Sequence, residues 1–477
     1  MARAFWTLSR AADALAGVRP SEGVPPRTGA PGDGFPRGDG PLGRVWTDTR
    51  TVAAGDLFVA LRGERFDGHD FLRQAVAAGA VAVVVTDARK AAGLGVPAFE
   101  VRDTMHALGA LARYRRDVWG RPVIAVGGSN GKTSTKELIR AALASRLVVH
   151  ATSGNLNNQV GVPQTLLALD DAADIAVIEV GTNMPGEIAL LREIVRPDVA
   201  VVTAIEEEHL EGFGDLAGVL REEASLLDGI PLAIVPAHDD VLVAEAAKRA
   251  HRATSAGIGR GTLAAERGTL AADATGRLFV GGVEVTVPLR GEHNLRNAML
   301  ALAVAQACGV AMDDAARGIA ALDVSAMPGM RSAVEALGDA LLVNDAYNAN
   351  PASARAAIRL LAAVGGARPR VIVLGTMREL GAQAAEAHRD IAREAVASGA
   401  ALVAGIGDFA PALRAVAVGD PRVVTGADID DIWPTLSSRM ASNAAILLKG
   451  SRGVQLERLL PRLREWASDA TSPYRAD

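Results

Sequence analysis

Apolar and polar positions along the chain form two kinds of segment. Short continuous apolar runs indicate strands that are buried on both faces of a parallel sheet. They occur at residues 81–85, 123–126, 175–180, 199–203, 232–235, 341–344, 371–374, 402–406 and 445–448. Amphipathic helical patterns lie between most of these runs. The repeated order of strand and helix predicts an α/β fold with doubly wound parallel sheets.

The same pattern predicts three domains. Residues 1–121 form a small N-terminal α/β domain, interrupted at 19–43 by a Gly/Pro-rich surface loop. Residues 122–327 form a central domain with a parallel sheet, closed by a helical pair around 294–321. Residues 328–477 form a C-terminal Rossmann-like α/β domain. A chain of 477 residues is also long enough for about three domains of roughly 150 residues each.

Composition and charge exclude several classes of function. The net charge of −5 provides no general basic surface for nucleic acid or anionic lipid. A single cysteine, Cys308, excludes an intramolecular disulfide and a thiolate metal site. The N-terminal sequence lacks the apolar core of a signal peptide, and no run approaches the roughly 20 apolar residues of a membrane span. We therefore predict a cytoplasmic protein without nucleic-acid or membrane partners, and we expect a monomer.

A glycine-rich segment directly follows the apolar run at 123–126. It comprises Gly127, Gly128, Ser129, Asn130, Gly131, Lys132 and Thr133, before a helix predicted to begin near Thr135. Such a loop lets backbone N–H groups approach phosphates, and the helix N-terminus favours negative charge. Lys132 would neutralise β- and γ-phosphate oxygens, and Thr133 would offer its hydroxyl to Mg²⁺. The segment is shorter than the usual GxxxxGK[ST] pattern, but its place between strand and helix predicts nucleotide binding.

Ten segments along the chain resemble the Mur ligases. GGSNGKTSTKEL, TSGNLNNQVGVPQTLL, VIEVGTNMPGEI, EHLEGFG and GEHNLRNAMLA are similar to the central domain of that family. PGMRS, NDAYNANPAS, VLGTMREL and LLKGSRG resemble its C-terminal domain, and TDTRTVAAGDLFVALRGERFDGHDF resembles its UDP-binding N-terminal domain. The resemblance covers nearly the whole chain apart from the Gly/Pro loop. It implies an ATP-dependent ligase that forms an amide through an acyl phosphate in peptidoglycan precursor synthesis.

The segment DAYNANP at 345–351 is similar to the signature of the family member that adds D-alanyl-D-alanine, and no DNPR-like motif is present. The resemblance therefore implies UDP-N-acetylmuramoyl-tripeptide and D-alanyl-D-alanine as substrates. Three alternatives remain open at this point. They are a relative that adds diaminopimelate, lysine or glutamate, a small-molecule kinase, and a catalytically silent protein that binds UDP-sugars.

The resemblance also implies roles for individual residues. The predicted catalytic residues are Lys132, His209 and Arg331. Besides the glycine-rich segment, the predicted nucleotide contacts are His293, Asn294, Asn297, Arg331 and Asp345, although Asn294 also fits a helix N-cap. The predicted substrate contacts are Thr47, Asp48, Thr49, Arg50, the loop 62–69, Asn155, Asn157, Asn158, Asn348, Asn350, Lys449, Ser451 and Arg452.

Two Mg²⁺ ions are implied, with Thr133, Glu179, His209 and Glu223 as the predicted ligands. The family typically places a carbamylated lysine on the helix that corresponds to 216–227, and this chain has no lysine there. Apolar residues one turn before and after Glu223 put it on the apolar face of that helix. We hypothesise that Glu223 supplies directly the negative group that the carbamate supplies elsewhere; the alternative is a surface glutamate. The acidic run 206–208 is interpreted as a solvated face.

Overall fold

The structure is a computed structural model that describes residues 5–18, 36–63, 65–327 and 333–471. Residues 19–35 of the predicted Gly/Pro loop lie outside these ranges. The candidate Arg331 also lies outside the described residues.

The described residues form strands and helices in a largely alternating order. The strands are β1 (Val45–Trp46), β2 (Leu57–Val59), β3 (Ala82–Val85), β4 (Ala98–Glu100), β5 (Val123–Gly127), β6 (Val149–Ala151), β7 (Ile175–Glu179), β8 (Val199–Val202), β9 (Leu232–Pro236), β10 (Ala253–Ile258), β11 (Leu263–Ala265), β12 (Arg267–Leu270), β13 (Thr275–Val280), β14 (Val283–Arg290), β15 (Ala333–Leu337), β16 (Ala340–Asp345), β17 (Arg370–Leu374), β18 (Leu402–Ile406), β19 (Val423–Gly426) and β20 (Ala445–Lys449). The helices are α1 (Leu8–Leu15), α2 (Leu72–Ala77), α3 (Thr104–Trp119), α4 (Lys132–Ala144), α5 (Gly161–Leu167), α6 (Glu187–Val195), α7 (Leu210–Phe213), α8 (Leu216–Ala224), α9 (Asp240–Arg249), α10 (Glu292–Ala307), α11 (Met312–Ala320), α12 (Pro351–Gly365), α13 (Ala384–Ala397), α14 (Phe409–Val416), α15 (Ile429–Arg439) and α16 (Leu459–Thr471).

Every strand predicted from an apolar run is present, with small shifts at the ends. The predicted start of the helix near Thr135 is wrong, because α4 begins at Lys132. Gly131 stands before it with a left-handed backbone, so the chain enters the helix directly from the glycine loop. The apolar runs did not reveal the strands β10–β14, whose mixed or alternating burial gives a weaker signal.

The chain divides into two compact units. The first comprises residues 1–125, 148–181 and 189–198. Its strands β1-β2-β3-β4 form a parallel sheet in that order, and β6 pairs in parallel with β7. Alternate residues of β2 and β3 enter two different cores: Leu57 and Val84 pack on one face, and Phe58 and Val83 on the other. A sheet buried on both faces explains the uninterrupted apolar run at 81–85.

The second unit comprises residues 126–147, 182–188 and 199–477. Its strands β8 to β11 form parallel pairs in chain order, and β12, β13 and β14 form an antiparallel sheet. A six-stranded sheet has the order β15-β16-β20-β17-β18-β19, in which all pairs are parallel except β15 with β16. Alternate residues of its strands again face opposite cores, as Val343 and Leu342 do. The predicted α/β fold is confirmed, and the division into three domains stays a prediction.

Each helix in the described part of the chain is too short or too polar to span a lipid bilayer.

Candidate active site

The loop between β5 and α4 has a backbone that only glycine adopts easily at two positions. Gly128 has φ +114°, and a Cβ there would lie 2.4 Å from the Thr203 hydroxyl oxygen. Gly131 has φ +83°, and its Cβ would lie 2.9 Å from Oδ1 of Asn297. Both the left-handed backbone and the close neighbours exclude larger residues. The same contact places Asn297 of α10 directly against the loop.

The chain that leaves β8 holds this loop in place. The Thr203 hydroxyl donates to the Gly127 carbonyl at 3.1 Å and also to the carbonyl of Asn130. The backbone N–H of Glu206 donates to the Ser129 hydroxyl at 3.0 Å, and the Asn130 amide donates to the Glu206 carboxylate. Thr203 was not among the site residues predicted from the sequence. Its position at the end of an apolar run could have indicated a site residue, because the loops at the carboxyl ends of parallel strands lie together at one edge of the sheet.

Lys132 lies on the first turn of α4 and bends back over the loop. Its ammonium donates to the carbonyls of Gly128 and Ser129 and lies 3.5 Å from the Glu208 carboxylate. Glu208 is only 5% exposed, and burial raises its pKa above the ordinary range despite the opposing charge of Lys132. The interpretation of 206–208 as a solvated face is therefore wrong for Glu208. After β8 the chain turns towards the phosphate loop, so this carboxylate faces a lysine and not solvent.

Glu223 is completely buried on α8. One of its oxygens, Oε2, accepts the backbone N–H of Gly128 at 2.7 Å, while Oε1 has no hydrogen-bond partner among the described residues. Burial raises the pKa of Glu223 to about 7, with Lys132 opposing the rise and Glu208 adding to it. The carboxylate of Glu223, on the apolar face of α8, thus contacts the phosphate loop. Its negative charge is poorly compensated there, because only one of its two oxygens accepts a hydrogen bond from the described residues.

The neighbouring Glu222 is also buried, and it was not among the site residues predicted from the sequence. Its Oε1 accepts the N–H of Ile188 at 2.8 Å and the Thr182 hydroxyl at 3.2 Å, and its Oε2 accepts the N–H of Gly186 at 2.7 Å. Glu222 therefore holds the loop 182–188, which follows the predicted metal ligand Glu179. Two adjacent carboxylates on one helix consequently have different surroundings: Glu222 is fully hydrogen-bonded and Glu223 is not.

His209 precedes the short helix α7 and has a left-handed backbone with φ +49°. Nδ1 of its ring contacts the carboxylate of Glu379. Burial alone would lower the pKa of His209, but the hydrogen bond with Glu379 and the charge of Glu208 raise it above the ordinary value. The structure thus adds Glu379 to the residues around the predicted catalytic histidine.

Glu179 is the last residue of β7 and is completely buried. Its Oε1 accepts the side-chain amide of Asn157 at 2.9 Å, so two predicted site residues meet there. Asn158 has a structural role, because its side-chain oxygen accepts the N–H of Gly161, the first residue of α5, at 2.9 Å. Asn155 is exposed and remains a candidate for contact with a ligand.

The donors in the site are compatible with Mg²⁺. Within the described ranges, no three or more His, Cys, Asp or Glu residues are grouped as a ready-made metal site. Mg²⁺ is usually held by one or two carboxylates together with water and substrate phosphates, so such a group is not required. The buried Oε1 of Glu223 is an oxygen acceptor to which no described residue donates, and Thr133 is a buried hydroxyl on the first turn of α4. These observations fit a divalent cation beside a bound phosphate.

The predicted adenine and ribose contacts lie on the first turns of α10. Asn294 donates to the carbonyl of Arg290 at 2.8 Å and accepts from the Asn297 amide at 3.0 Å. The alternative of Asn294 as N-cap is wrong, because Gly291 holds that position with φ +90°. Burial lowers the pKa of His293, and the charge of Asp345 opposes that change, so Asp345 lies within electrostatic reach of α10.

The segments after β16 and β20 bring the remaining candidates together. The ammonium of Lys449 is 2.8 Å from the Asp345 carboxylate and also donates to the carbonyl of Asn348, in a largely buried cluster. Asn350 caps α12 by accepting the N–H of Ser353 at 2.8 Å. Its side-chain nitrogen, Nδ2, is buried without a hydrogen-bond partner among the described residues. Asn350 therefore offers amide donors in a fixed orientation.

Ser451 and Arg452 follow β20; Ser451 is buried and Arg452 is exposed. The Ser451 hydroxyl accepts the N–H of Arg378 at 3.0 Å and so supports the neighbouring loop. Arg452 is exposed, and its guanidinium carbon lies 5.5 Å from the centre of the Tyr347 ring. Arg452 thus has a cationic group at the surface beside the DAYNANP segment.

The predicted uridine-diphosphate contacts occupy a tight turn after β1. Asp48 caps the 3₁₀ helix Thr49–Thr51, and its carboxylate is 2.7 Å from the exposed Arg50 guanidinium. The Thr47 hydroxyl accepts the Gln164 side-chain amide at 3.0 Å.

In the loop 62–69, His69 is buried and structural. Its Nε2 accepts the N–H of Thr86 at 2.9 Å, and its Nδ1 donates to Asp67. His69 therefore fastens this loop to the end of β3 and is not available to a ligand.

Comparison with known proteins identifies the family. The chain matches the models of the Mur ligase family, catalytic domain, at 43–116, of the Mur ligase middle domain at 126–305, and of the Mur ligase, glutamate ligase domain, at 330–452. A relative from Escherichia coli (strain K12), named UDP-N-acetylmuramoyl-tripeptide--D-alanyl-D-alanine ligase, is 37% identical over 437 residues, which are 89% of this chain and 94% of the relative. The chain belongs to the Mur ligase family. A Bacillus subtilis (strain 168) relative of the same name is 34% identical to this Mur ligase over 88% of this chain and 93% of the relative.

Solved structures agree with this Mur ligase in fold. A crystal structure of MurF from Acinetobacter baumannii has a TM-score of 0.85 at 31% identity and covers 96% of this chain and 99% of that one. A MurF ligase from Thermotoga maritima in complex with ADP has a TM-score of 0.77 at 26% identity and covers 89% of this chain and 98% of that one. The resemblance drawn from the sequence motifs is therefore confirmed, and it extends to the MurF members of the family.

Proposed function

We propose that this Mur ligase joins D-alanyl-D-alanine to the peptide carboxylate of UDP-N-acetylmuramoyl-tripeptide at the expense of ATP. The observation that carries the proposal is the full-length similarity to relatives named for this reaction, together with the motif DAYNANP at 345–351. The structure supports it because the motif contains Asn350, whose buried side-chain nitrogen lacks a hydrogen-bond partner among the described residues. Such donors suit the terminal carboxylate of a dipeptide.

The reaction requires an activated carboxyl group, because a carboxylate does not react with an amine at neutral pH. A carboxylate oxygen of the tripeptide attacks the γ-phosphorus of ATP, the bond to the β-phosphate oxygen breaks, and ADP leaves. The amine of D-alanyl-D-alanine then attacks the carbonyl carbon of the acyl phosphate. The C–N bond forms, the amine loses a proton, and phosphate departs as the C–O bond breaks. A charged, water-free site favours both steps.

The residues of the second unit can divide this work. The backbone of the phosphate loop and the ammonium of Lys132 surround the triphosphate, and Asn294 and Asn297 face the nucleoside. Lys132 now contacts Glu208 at 3.5 Å, so a bound phosphate would compete with that carboxylate for the ammonium. Asp345 and Lys449 form a buried ion pair at 2.8 Å, which fixes the segment that presents Asn348 and Asn350. Arg331 keeps its predicted role in phosphate binding.

We also propose that Mg²⁺ binds here, with Thr133, Glu179, His209 and Glu223 as the ligands that this chain provides. When bound, the ions neutralise phosphate charge and orient the reacting oxygens. The chain's own task is to supply oxygen and nitrogen donors in a dry environment. Two ions remain the expected number. As an enzyme that consumes ATP, the protein is expected to act in the cytoplasm, and the expectation of a monomer stays a prediction.

Glu223 is proposed to replace the carbamylated lysine of other family members. Its complete burial, its contact with the N–H of Gly128 at 2.7 Å, and an Oε1 without a hydrogen-bond partner in the described part of the chain support this role. A carboxylate that is part of the side chain needs no CO₂. Removal of bicarbonate should therefore leave the activity unchanged, and Glu223→Lys should make the activity depend on added bicarbonate. Activity of the unaltered enzyme that falls when bicarbonate is removed would contradict the proposal, as would full activity of Glu223→Ala.

Phosphate release tests the proposed reaction most directly. Purified enzyme with ATP, Mg²⁺ and UDP-N-acetylmuramoyl-tripeptide should release phosphate at a steady rate only when D-alanyl-D-alanine is present. Mass spectrometry should show that the precursor gains the mass of the dipeptide less one water. Equal turnover with diaminopimelate, lysine or glutamate would instead support a different ligase of the family. Formation of ADP without any gain in mass of the precursor would support a kinase.

A further inference from the structure

Two residues with rare backbone conformations meet beside the proposed metal site. His209 has φ +49° and Glu379 has φ +66°, and both lie in the left-handed region that residues other than glycine seldom occupy. The Glu379 carboxylate contacts Nδ1 of the His209 ring. His209 lies in the stretch that matches the middle-domain model, and Glu379 lies in the stretch that matches the glutamate ligase domain. Strained backbone at both ends of one contact indicates that the surrounding structure holds this geometry.

Backbone contacts fix the same two loops to each other. The N–H of Glu211 donates to the carbonyl of Glu379 at 3.2 Å. Gly381 has φ +54°, and a Cβ there would lie 3.3 Å from the Cα of Glu211. Glu379 therefore contacts the loop of His209 through its backbone carbonyl as well as through its carboxylate. These two contacts leave the carboxylate little freedom to move relative to the histidine ring.

The interior supports the loop that carries Glu379. Met377 and Leu380 are buried in one hydrophobic core together with Leu210 and Phe213, which belong to the helix after His209. The fully buried His388 accepts the N–H of Met377 at its Nε2, at 2.9 Å. Its Nδ1 donates to the carbonyl of Ala384 at 2.6 Å, so the ring is neutral and pairs at both nitrogens. The position of Glu379 is thus fixed by buried residues that flank it and by buried residues of the helix after His209.

A carboxylate that accepts a hydrogen bond from Nδ1 of a histidine determines the protonation state of Nε2. When Nδ1–H donates to a carboxylate, the tautomer is fixed, and Nε2 keeps its lone pair as a ligand for a metal ion. We propose that Glu379 is a positioning residue that orients His209 and holds this tautomer, and so strengthens the binding of the divalent cation. This inference rests on the proposed role of His209 as a metal ligand. It also means that the cation site is complete only when the loop around Glu379 contacts the loop around His209.

Cation affinity tests the inference without relying on turnover. The probe is Mn²⁺, whose dissociation constant is measured by electron paramagnetic resonance on the full chain saturated with ADP. Glu379→Ala should raise this constant by about 10- to 100-fold, the range typical of lost partners of metal-binding histidines. Glu379→Gln, which keeps an acceptor but no charge, should give a smaller rise. The concentration of Mg²⁺ for half-maximal phosphate release should follow the same order, and Glu386→Gln, an exposed residue of α13, is the control.

Further variants separate this inference from the proposed function. His209→Gln should weaken Mn²⁺ binding, and adding Glu379→Ala to it should weaken binding no further, because the two side chains act as one unit. If His209→Gln weakens binding and Glu379→Ala changes it by less than about twofold, the role of Glu379 is refuted and that of His209 stands. If His209→Gln leaves Mn²⁺ affinity unchanged, both assignments fail. Thermal unfolding of Glu379→Gln identifies general loss of structure: a variant that melts like the parent but binds Mn²⁺ more weakly supports positioning.

Discussion

The adjacent glutamates of α8 should respond in opposite ways when each is replaced by glutamine. Glu223 is completely buried, and its pKa is raised from 4.5 to about 7. Because the folded protein holds this proton more tightly than the unfolded chain does, the ionised carboxylate opposes folding, and its cost grows as the pH rises from 4.5 towards 7. At about 1.4 kcal/mol for each tenfold change, the full cost is about 3 kcal/mol. Glu223→Gln removes that cost.

Urea unfolding without nucleotide or metal measures the effect. The free energy of unfolding of Glu223→Gln should exceed that of the parent by about 3 kcal/mol near pH 8, and the gap should shrink to below about 1 kcal/mol near pH 5. Glu222→Gln is the matched control, because Glu222 accepts three hydrogen bonds through both oxygens. An amide keeps only one accepting oxygen, so this variant should lose about 1–3 kcal/mol. If Glu223→Gln is less stable than the parent near pH 8, or if the gap does not change with pH, then ionised Glu223 does not oppose folding.

Three further predictions concern ligand binding. Gly128→Ala should abolish ADP binding in calorimetry, because φ +114° and a contact of 2.4 Å leave no room for a Cβ; affinity near that of the parent would contradict this. Arg50→Ala should raise KM for the UDP-precursor about tenfold without lowering Tm. The control is Arg89→Ala, because Arg89 is 85% exposed and pairs with the aspartate two residues before it, as Arg50 does. An equal rise in KM for Arg89→Ala would refute a specific role of Arg50 in binding the UDP-precursor. Asn350→Asp should keep the helix cap and hence Tm, but raise KM for D-alanyl-D-alanine about tenfold, whereas an unchanged KM would exclude contact with that substrate.

The chemistry of the phosphate loop could be predicted from the sequence because it depends on local features. An apolar run, glycines at Gly128 and Gly131, and Lys132 lie within a few residues of each other, and the structure joins them as strand, loop and helix. The position of Glu223 on a buried helix face could also be predicted, because it needs only the apolar spacing of one helix. The surroundings of Glu208 could not, since charge runs are mostly solvated and only the turn after β8 brings this one to Lys132.

The strands with continuous apolar runs, the glycine loop and the family could all be predicted from the sequence, because each depends on neighbouring residues or on motifs in a fixed order. The pairing of side chains through charge or hydrogen bonds depends instead on how distant segments pack together. Glu379 contacts His209, Asp345 pairs with Lys449, and Glu222 holds the loop 182–188, although each pair is distant in the chain. Such contacts arise where separate strand ends and loops converge, and the resulting burial, which residue type alone does not specify, sets the charge and the partner of each group.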